Sequence, residues 1–384
     1  MSISLIGGTI LTPLERLDGH TLIIKGDEIS AIFPDHHSLE EPDSHRIDAS
    51  GMWVTPGLID IHTHGADGHD AMDATPEAME GFGKFLARHG VTSYLPTTIT
   101  ATQRDIQNAI DNIERIISET GGASISGIHL EGPYLNPAHR GAQPEALIRK
   151  ADPEEYSTWI EHDLVKLMTV APEIDGVLDL IEAGQQHGLE FAVGHSGATY
   201  EIMQEAADRG LRQATHTFNG MLGIHHRRPG TAGSVLTDDR IYAQVIADGV
   251  HLHPAIIQLI IKAKGINKTI LISDSMRATG LEDGEYDLGG QRVSVERSIA
   301  RIHSGSLAGS TLTLDAAIRN TMDFTSLPFP EVLPMATTVP AEAMGWNGQV
   351  GVLKPGATAD VVCFDAEIVP RLVFVAGELI YNNN

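Results

Sequence analysis

The sequence predicts an α/β fold: a (β/α)8 barrel of the TIM type carrying a small β-sandwich domain built from both chain ends. Three observations carry this reading. Eight apolar, strand-like runs begin between Leu58 and Lys268, and 210 residues shared over seven intervals give a mean spacing of 30, which is what a strand-plus-helix unit occupies. Helix-like stretches with recognisable ends separate those runs. Outside this rhythm, both chain ends read as short strands parted by Gly and Pro, and the tail has no helix of its own to pack on.

Residues 1–57 contain SISLIG, GTILTP, HTLIIKG, DEISAIFP and HRIDASGMWVTPG, which alternate apolar and polar residues or are rich in β-branched ones. The eight barrel runs are LIDIHTHG from Leu58, VTSYLPTT from Val91, ISGIHLEGP from Ile125, LVKLMTVAPE from Leu164, EFAVGHSGA from Glu190, QATHTFNG from Gln213, YAQVIADGVH from Tyr242 and KTILISDSM from Lys268. In TPEAMEGFGKFLARHG, Thr75 supplies a cap, Pro76 takes the first helical position, Arg88 and His89 close the last turn and Gly90 stops the helix. TQRDIQNAIDNIERIISETGG repeats the scheme, with Ile106, Ile110, Ile113 and Ile117 as one buried stripe. After Asn320 a Pro-rich segment predicts a short helix, and the tail returns to strands that complete the sheet begun by residues 1–57. The β domain is therefore expected to comprise residues 1–57 and 345–384, and the barrel residues 58–344.

Charge and composition narrow the function. With 26 Lys+Arg against 51 Asp+Glu, the net charge of −25 disfavours nucleic acid and anionic membranes as partners. No apolar run is long enough to span a bilayer, a lone Cys363 cannot form an internal disulfide, and no secretory leader pattern opens the chain, so the expected compartment is the cytoplasm. The 19 His residues stand out, many beside Gly or Asp at the ends of apolar runs.

In a barrel, reactive groups project from the C-terminal ends of the strands. Those ends carry His62 and His64, His129 and Glu131, His195, His216, Asp248 and His251, and Asp274. His62 and His64 are two apart, so on a strand both imidazoles leave one face and can converge on one cation. Singly, Glu131 reads better as a carboxylate capping the turn at Gly132-Pro133 and His216 as a core histidine bonded to a carbonyl. Together these groups would leave several buried ionisable side chains without a purpose, which favours a metal site. Histidine and carboxylate ligands without thiolate suit zinc, iron or another divalent transition ion, and Glu131 has two oxygens with which to bridge two ions. Asp274 is the candidate general base and acid. GHSGA lacks the final Gly of a nucleophile elbow, and no dinucleotide, P-loop or H-E-x-x-H motif is present. The GIHHRRPG stretch packs His225, His226, Arg227 and Arg228 into one cationic loop, pointing to an anionic substrate group.

PGLIDIHTHG, HLEGPYLN, GHSGAT, THTFNGM, HHRRPG, DGVHLHP, ISDSM and GSLAGS, in this order, resemble the N-acetylglucosamine-6-phosphate deacetylases of the amidohydrolase superfamily over nearly the whole chain. The resemblance implies hydrolysis of the acetamide of an amino-sugar phosphate. It implies Glu131, His195 and His216 as ligands of a principal metal, His62 and His64 as ligands of a second, and Asp274 as base and then acid. Ala142, Gln143, Asn219, Gly220, His251 and the Leu307, Ala308 and Gly309 turn would contact the sugar phosphate. Arg227 would reach the phosphate, across the interface of a homodimer or dimer of dimers. Some members replace the paired histidines by Gln and Asn and use one ion; this chain keeps both, so the count is one or two. Gln143 stands where other members have a His that polarises the scissile carbonyl, a task the second metal would partly assume. The alternatives are the N-acetylgalactosamine 6-phosphate epimer as substrate, a cyclic-amide hydrolase and a non-catalytic sugar-phosphate sensor. Cyclic-amide hydrolases often use a carboxylated Lys on strand four, whereas here Lys166 lies early in that run and Glu173 ends it.

Overall fold

The computed structural model describes residues 2–35, 44–117 and 121–383. The eight predicted runs form eight parallel strands, β1 (Leu58–Thr63), β2 (Val91–Thr98), β3 (Ile128–Glu131), β4 (Val165–Val170), β5 (Glu190–Val193), β6 (Gln213–Ala214), β7 (Tyr242–Ile246) and β8 (Thr269–Ile272). Each pairs with the next in parallel register. The barrel closes at its C-terminal end, where the Asp274 N–H donates to the His62 carbonyl at 2.9 Å and the His64 N–H to the Ser275 carbonyl at 2.8 Å. Closure therefore falls on the residues expected to carry the chemistry. Every residue of β1, β2, β3, β7 and β8 is buried, as strands covered on both faces require.

One helix follows each strand: α1 (Pro76–Arg88), α2 (Gln103–Ile116), α3 (Pro153–Ile160), α4 (Val177–Gln186), α5 (Tyr200–Arg209), α6 (Gly230–Thr237), α7 (Pro254–Lys264) and α8 (Leu314–Thr325). The Thr75 hydroxyl accepts from the Ala78 N–H and the Thr102 hydroxyl from the Asp105 N–H, each satisfying a donor that the first helical turn leaves open. α2 buries Ile106, Ile110 and Ile113 as expected and ends at Ile116, which completes the buried stripe in place of the half-buried Ile117. Residues 118–120 of that predicted stretch lie outside the described residues.

The chain ends meet in two sheets. Trp53–Pro56, which leads into β1, pairs antiparallel with Val361–Phe364 of the tail, and the same sheet continues through Pro370–Val375 to Glu378–Asn382 on one side and through Thr9–Leu11 to Arg16–Leu17 on the other. A second sheet joins Glu28–Pro34, His20–Lys25, Ser2–Ile6 and Ser44–Asp48. Leu5, Leu22 and Ile29 of one sheet share a buried core with Val361, Cys363 and Phe374 of the other. Burial pushes the Cys363 thiol up to about 12, which leaves it an inert packing group.

Between β8 and α8 lies a three-stranded antiparallel sheet, Gly284–Leu288, Gln291–Glu296 and Ile299–Ile302, that sequence analysis did not anticipate. Its local signal is present in EYDLGGQRVSVE: Gly289 and Gly290 have φ of 60° and 77°, the positive pair that a two-residue hairpin turn demands. The Gln291 side-chain amide donates to the Ala142 carbonyl, so the insertion leans over the barrel mouth. The Pro-rich segment forms two short helices, Phe329–Val332 and Thr338–Ala343.

Candidate metal centre and active site

Three of the strand ends turn inward through backbone that L-residues rarely adopt. His195, His216 and Asp274 have φ of 48°, 32° and 48°, so each strand breaks sharply and aims its last side chain across the barrel axis. Such conformations persist only where surrounding contacts over-determine them, and they cluster at functional sites.

The side chains so aimed converge on Glu131. His195 Nε2 and His216 Nε2 lie 3.0 Å and 3.1 Å from Glu131 Oε1, and 3.2 Å from one another. His64 Nε2 lies 3.3 Å from Glu131 Oε2, and His62 Nε2 lies 3.2 Å from His64 Nε2 and 3.8 Å from Glu131 Oε1. Asp274 Oδ1 faces His64 at 3.2 Å and His62 at 3.4 Å and has no hydrogen bond of its own. Two groups follow, His62–His64–Glu131 and Glu131–His195–His216, all buried, with ligand atoms in each within 4.8 Å of one another. The groups share Glu131, whose Oε1 faces His195 and His216 and whose Oε2 faces His64.

The surroundings fit a cation. His64 Nδ1 lies 3.1 Å from the Thr97 carbonyl and His195 Nδ1 3.0 Å from the His139 carbonyl; a carbonyl can only accept, so both rings carry a proton on Nδ1 and turn Nε2, the nitrogen that would face a bound ion, toward the carboxylates. Burial drives His62 down to about 4, which keeps it neutral and ligand-competent at pH 7. Burial would lift Glu131 and Asp274, but charge and hydrogen bonds from the histidines around them hold both carboxyls below their ordinary range, and the carboxylates in turn lift His64 and His195 above theirs. A buried ring of lone pairs and carboxylate oxygens without thiolate is a donor set for a divalent transition ion.

A cavity of about 210 Å³ opens above this floor and is lined by His64, Glu131, His195, His216 and Asp274 together with most of the substrate-contact candidates. Ala142, Gln143, Asn219 and Gly220 form one side; His251, Leu307 and Gly309 also line it. Gln143 is held at both ends of its amide, donating from Nε2 to Glu131 Oε2 at 2.6 Å and accepting at Oε1 from the Thr100 N–H at 2.9 Å. His251 Nδ1 is fixed by Asp248 Oδ2 at 2.6 Å, which leaves Nε2 free.

Three candidates do not line the cavity. His62 is fully buried within its ligand group. Ala308 is also fully buried, its N–H donating to the Ala300 carbonyl at 3.1 Å, so it braces the three-stranded insertion while its neighbours face the cavity. Arg227 is exposed, its guanidinium against His226 Nε2 at 2.7 Å, and does not line the cavity of its own chain. His129 lies outside both ligand groups: its Nε2 meets the Thr169 hydroxyl at 2.7 Å and its ring stacks edge-on against His62. Sequence reasoning missed Ile99, Gly141, Leu288 and Ser306 in the wall. Leu288 alternates with Tyr286 in the insertion and was findable there; Ile99 and Ser306 carry no local signal.

Comparison with known proteins places this geometry. The profile of the Amidohydrolase family matches residues 53–380. The N-acetylgalactosamine-6-phosphate deacetylase of Escherichia coli O157:H7 is 38% identical over 374 residues, covering 96% of this chain and 97% of the relative. The N-acetylglucosamine-6-phosphate deacetylase of Vibrio furnissii is 38% identical over 332 residues, covering 86% and 83%. Among solved structures, N-acetylglucosamine-6-phosphate deacetylase from Pasteurella multocida superposes over the whole of both chains with a TM-score of 0.95 at 29% identity. A mutant of the Mycobacterium smegmatis enzyme in complex with N-acetyl-D-glucosamine-6-phosphate gives a TM-score of 0.92 at 32% identity, covering 99% of this chain and 100% of that one.

Proposed function

The chain belongs to the amidohydrolase family, and we propose that it removes the acetyl group of N-acetylglucosamine 6-phosphate, giving glucosamine 6-phosphate and acetate. The observation that carries this is the floor of the cavity, where Asp274 stands beside two buried ligand groups that share Glu131. Glu131, His195 and His216 would hold one divalent ion, zinc or iron, and His62 and His64 with Glu131 would hold a second. A divalent ion there supplies Lewis acidity to the acetyl carbonyl and makes water acidic enough to deprotonate near neutral pH.

Asp274, ionised because its carboxyl is held below the usual range, accepts the proton of the attacking water and returns it to the sugar nitrogen as the C–N bond breaks. Gln143, pinned by Thr100 and Glu131, holds an amide N–H at the cavity wall, where a histidine in relatives would polarise the carbonyl; an ion held by His62 and His64 would supply Lewis acidity for part of that task. His251, Asn219 and the 307–309 turn contact the sugar phosphate, and Arg227 reaches it from a second copy in a homodimer or dimer of dimers. No helix among the described residues is long and apolar enough to cross a membrane.

Acetate release from the pure protein, abolished by a chelator and restored by zinc or iron, tests the reading; turnover undiminished in chelator overturns it. A second reading, N-acetylgalactosamine 6-phosphate as the preferred substrate, is favoured by the Escherichia coli relative, which matches more of this chain at the same identity. kcat/KM measured side by side on the two sugars decides between them.

A further inference from the structure

Glu173, which follows β4, belongs to neither ligand group, yet it ties together the loops that meet at His195. Its Oε1 accepts from the Asn136 side-chain amide at 2.8 Å and from the Gly197 N–H at 2.5 Å, and its Oε2 accepts from the Ser196 hydroxyl at 2.7 Å. Asn136 donates its own backbone N–H to the His195 carbonyl at 3.0 Å, and His139, three residues on, offers the carbonyl that faces His195 Nδ1. One carboxylate therefore grips the loop after β3 and the turn after β5, the two pieces of backbone that set where His195 points.

The grip acts on strained, close-packed backbone. His195 has φ 48°, a conformation that needs external support. A Cβ at Gly197 would stand 2.8 Å from His139 Nε2, and one at Gly220 2.9 Å from His195 Nδ1 and 3.0 Å from the His139 carbonyl oxygen. The turn has no room to relax into another arrangement while the carboxylate holds it. The same contacts account for the near-elbow GHSGA: its serine is a hydrogen-bond donor to Glu173.

We propose that Glu173 is a positioning residue that holds the His195 imidazole, through Asn136, Ser196 and Gly197, with Nε2 aimed at Glu131 Oε1. The inference rests on the reading of His195 as a metal ligand. It is a claim about geometry more than charge. Glutamine keeps an oxygen for Asn136 and Gly197 and can donate to the Ser196 hydroxyl, whereas alanine leaves three donors without an acceptor.

The test is Zn²⁺ affinity of the full-length protein by competition with a chromophoric chelator, alongside kcat and KM. Partners behind a metal ligand are typically worth roughly 10–100-fold in affinity. Glu173→Ala is expected to weaken binding of one ion by about that factor and to lower kcat with KM nearly unchanged, and Glu173→Gln to recover most of both. Wild-type affinity in Glu173→Ala, or equal damage from Gln and Ala, overturns the inference. Should Glu173→Ala not fold, Ser196→Ala and Asn136→Ala carry the test: each removes one bond of the grip and is expected to weaken Zn²⁺ severalfold, and no change in either overturns it. His195→Ala sets the scale. If it leaves Zn²⁺ binding untouched, the underlying ligand reading falls; if it weakens binding while Glu173→Ala does not, the positioning role alone falls.

Discussion

Replacing Asp274 by Asn separates proton transfer from everything else the site does. Asn has the same shape, and the two backbone bonds that fix this position remain: the Asp274 N–H to the His62 carbonyl at 2.9 Å and the Ser310 N–H to the Asp274 carbonyl at 2.7 Å. Barrel closure and the φ of 48° should therefore survive. The carboxylate is lost, and with it the only acid at the floor that has an oxygen free of hydrogen bonds, since Glu131 is engaged by His195, His216 and Gln143. General acid–base catalysis contributes about 10²–10⁴-fold, and one group here serves both proton transfers, so kcat is expected to fall by roughly 10³-fold, about 4 kcal/mol of barrier. Sugar-phosphate affinity should change less than about threefold, because the substrate contacts are assigned to other side chains, Asn219 and His251, and to the 307–309 turn, beside which the substitution keeps the backbone bond from Ser310 to residue 274. The assay pairs steady-state acetate release with calorimetric titration of the substrate into the variant and with metal analysis. A variant of normal metal content that turns over within about tenfold of wild type would refute the role given to Asp274.

Three further outcomes can be checked. His62→Gln should reduce the metal content of fully loaded protein by one ion per chain and lower kcat; an unchanged rate with one ion in the parent protein sinks the two-ion reading and the compensation for Gln143. Asp360, whose side chain accepts from the Ala376 N–H and the Ser93 hydroxyl, is driven from 3.8 to about 6 by burial. The folded state thus holds that proton more tightly than the unfolded chain, so the contribution is fully present below pH 3.8 and lost as the pH rises through 6, a loss of about 3 kcal/mol. Denaturation midpoints of Asp360→Asn should therefore gain on wild type between pH 4 and 7 and stay level above; a difference that does not vary with pH contradicts the assignment. Arg227→Ala should raise KM about tenfold or more with little change in kcat, and an unaltered KM removes Arg227 from phosphate binding.

Legibility in the sequence followed distance along the chain. The barrel was readable because each strand and its helix carry their own signals, a buried run and a capped amphipathic stretch. The residues that converge at the mouth were readable because barrel geometry sends strand ends to one place, so His62, His64, Glu131, His195, His216 and Asp274 needed only their positions at the ends of runs. What escaped depends on contacts between distant segments. Ile99 and Ser306 reach the wall from different loops, the insertion's place over the mouth rests on Gln291 meeting Ala142, and the grip of Glu173 on Asn136 and Ser196 joins three loops. Ala308 shows the same limit within one motif: Leu307 and Gly309 face the cavity while the residue between them turns into the insertion.

The cavity raises a question of charge that bears on assembly. A phosphate monoester carries close to two negative charges at neutral pH, and the chain that must bind it has a net charge of −25. Among the described residues lining the cavity there is no Lys and no Arg; imidazoles, the Gln143 and Asn219 amides, the Ser306 hydroxyl and backbone are the donor groups that one copy offers. The loop after β6 supplies the missing charge in the wrong place for its own site. It leaves the cavity wall at Gly220, exposes Arg227 and Arg228, and also exposes Leu222 and Ile224, apolar side chains that solvent does not favour. A loop both cationic and apolar is suited to burial against a second copy, where its guanidinium can close that copy's cavity. If so, each active site needs Asp274 from one chain and Arg227 from the other. Mixing Arg227→Ala with Asp274→Asn after dissociation and reassociation should then regenerate sites with both residues intact, and low-KM turnover should return in a mixture of two impaired proteins. Activity that merely averages the two parents would place the phosphate's counter-charge within a single chain.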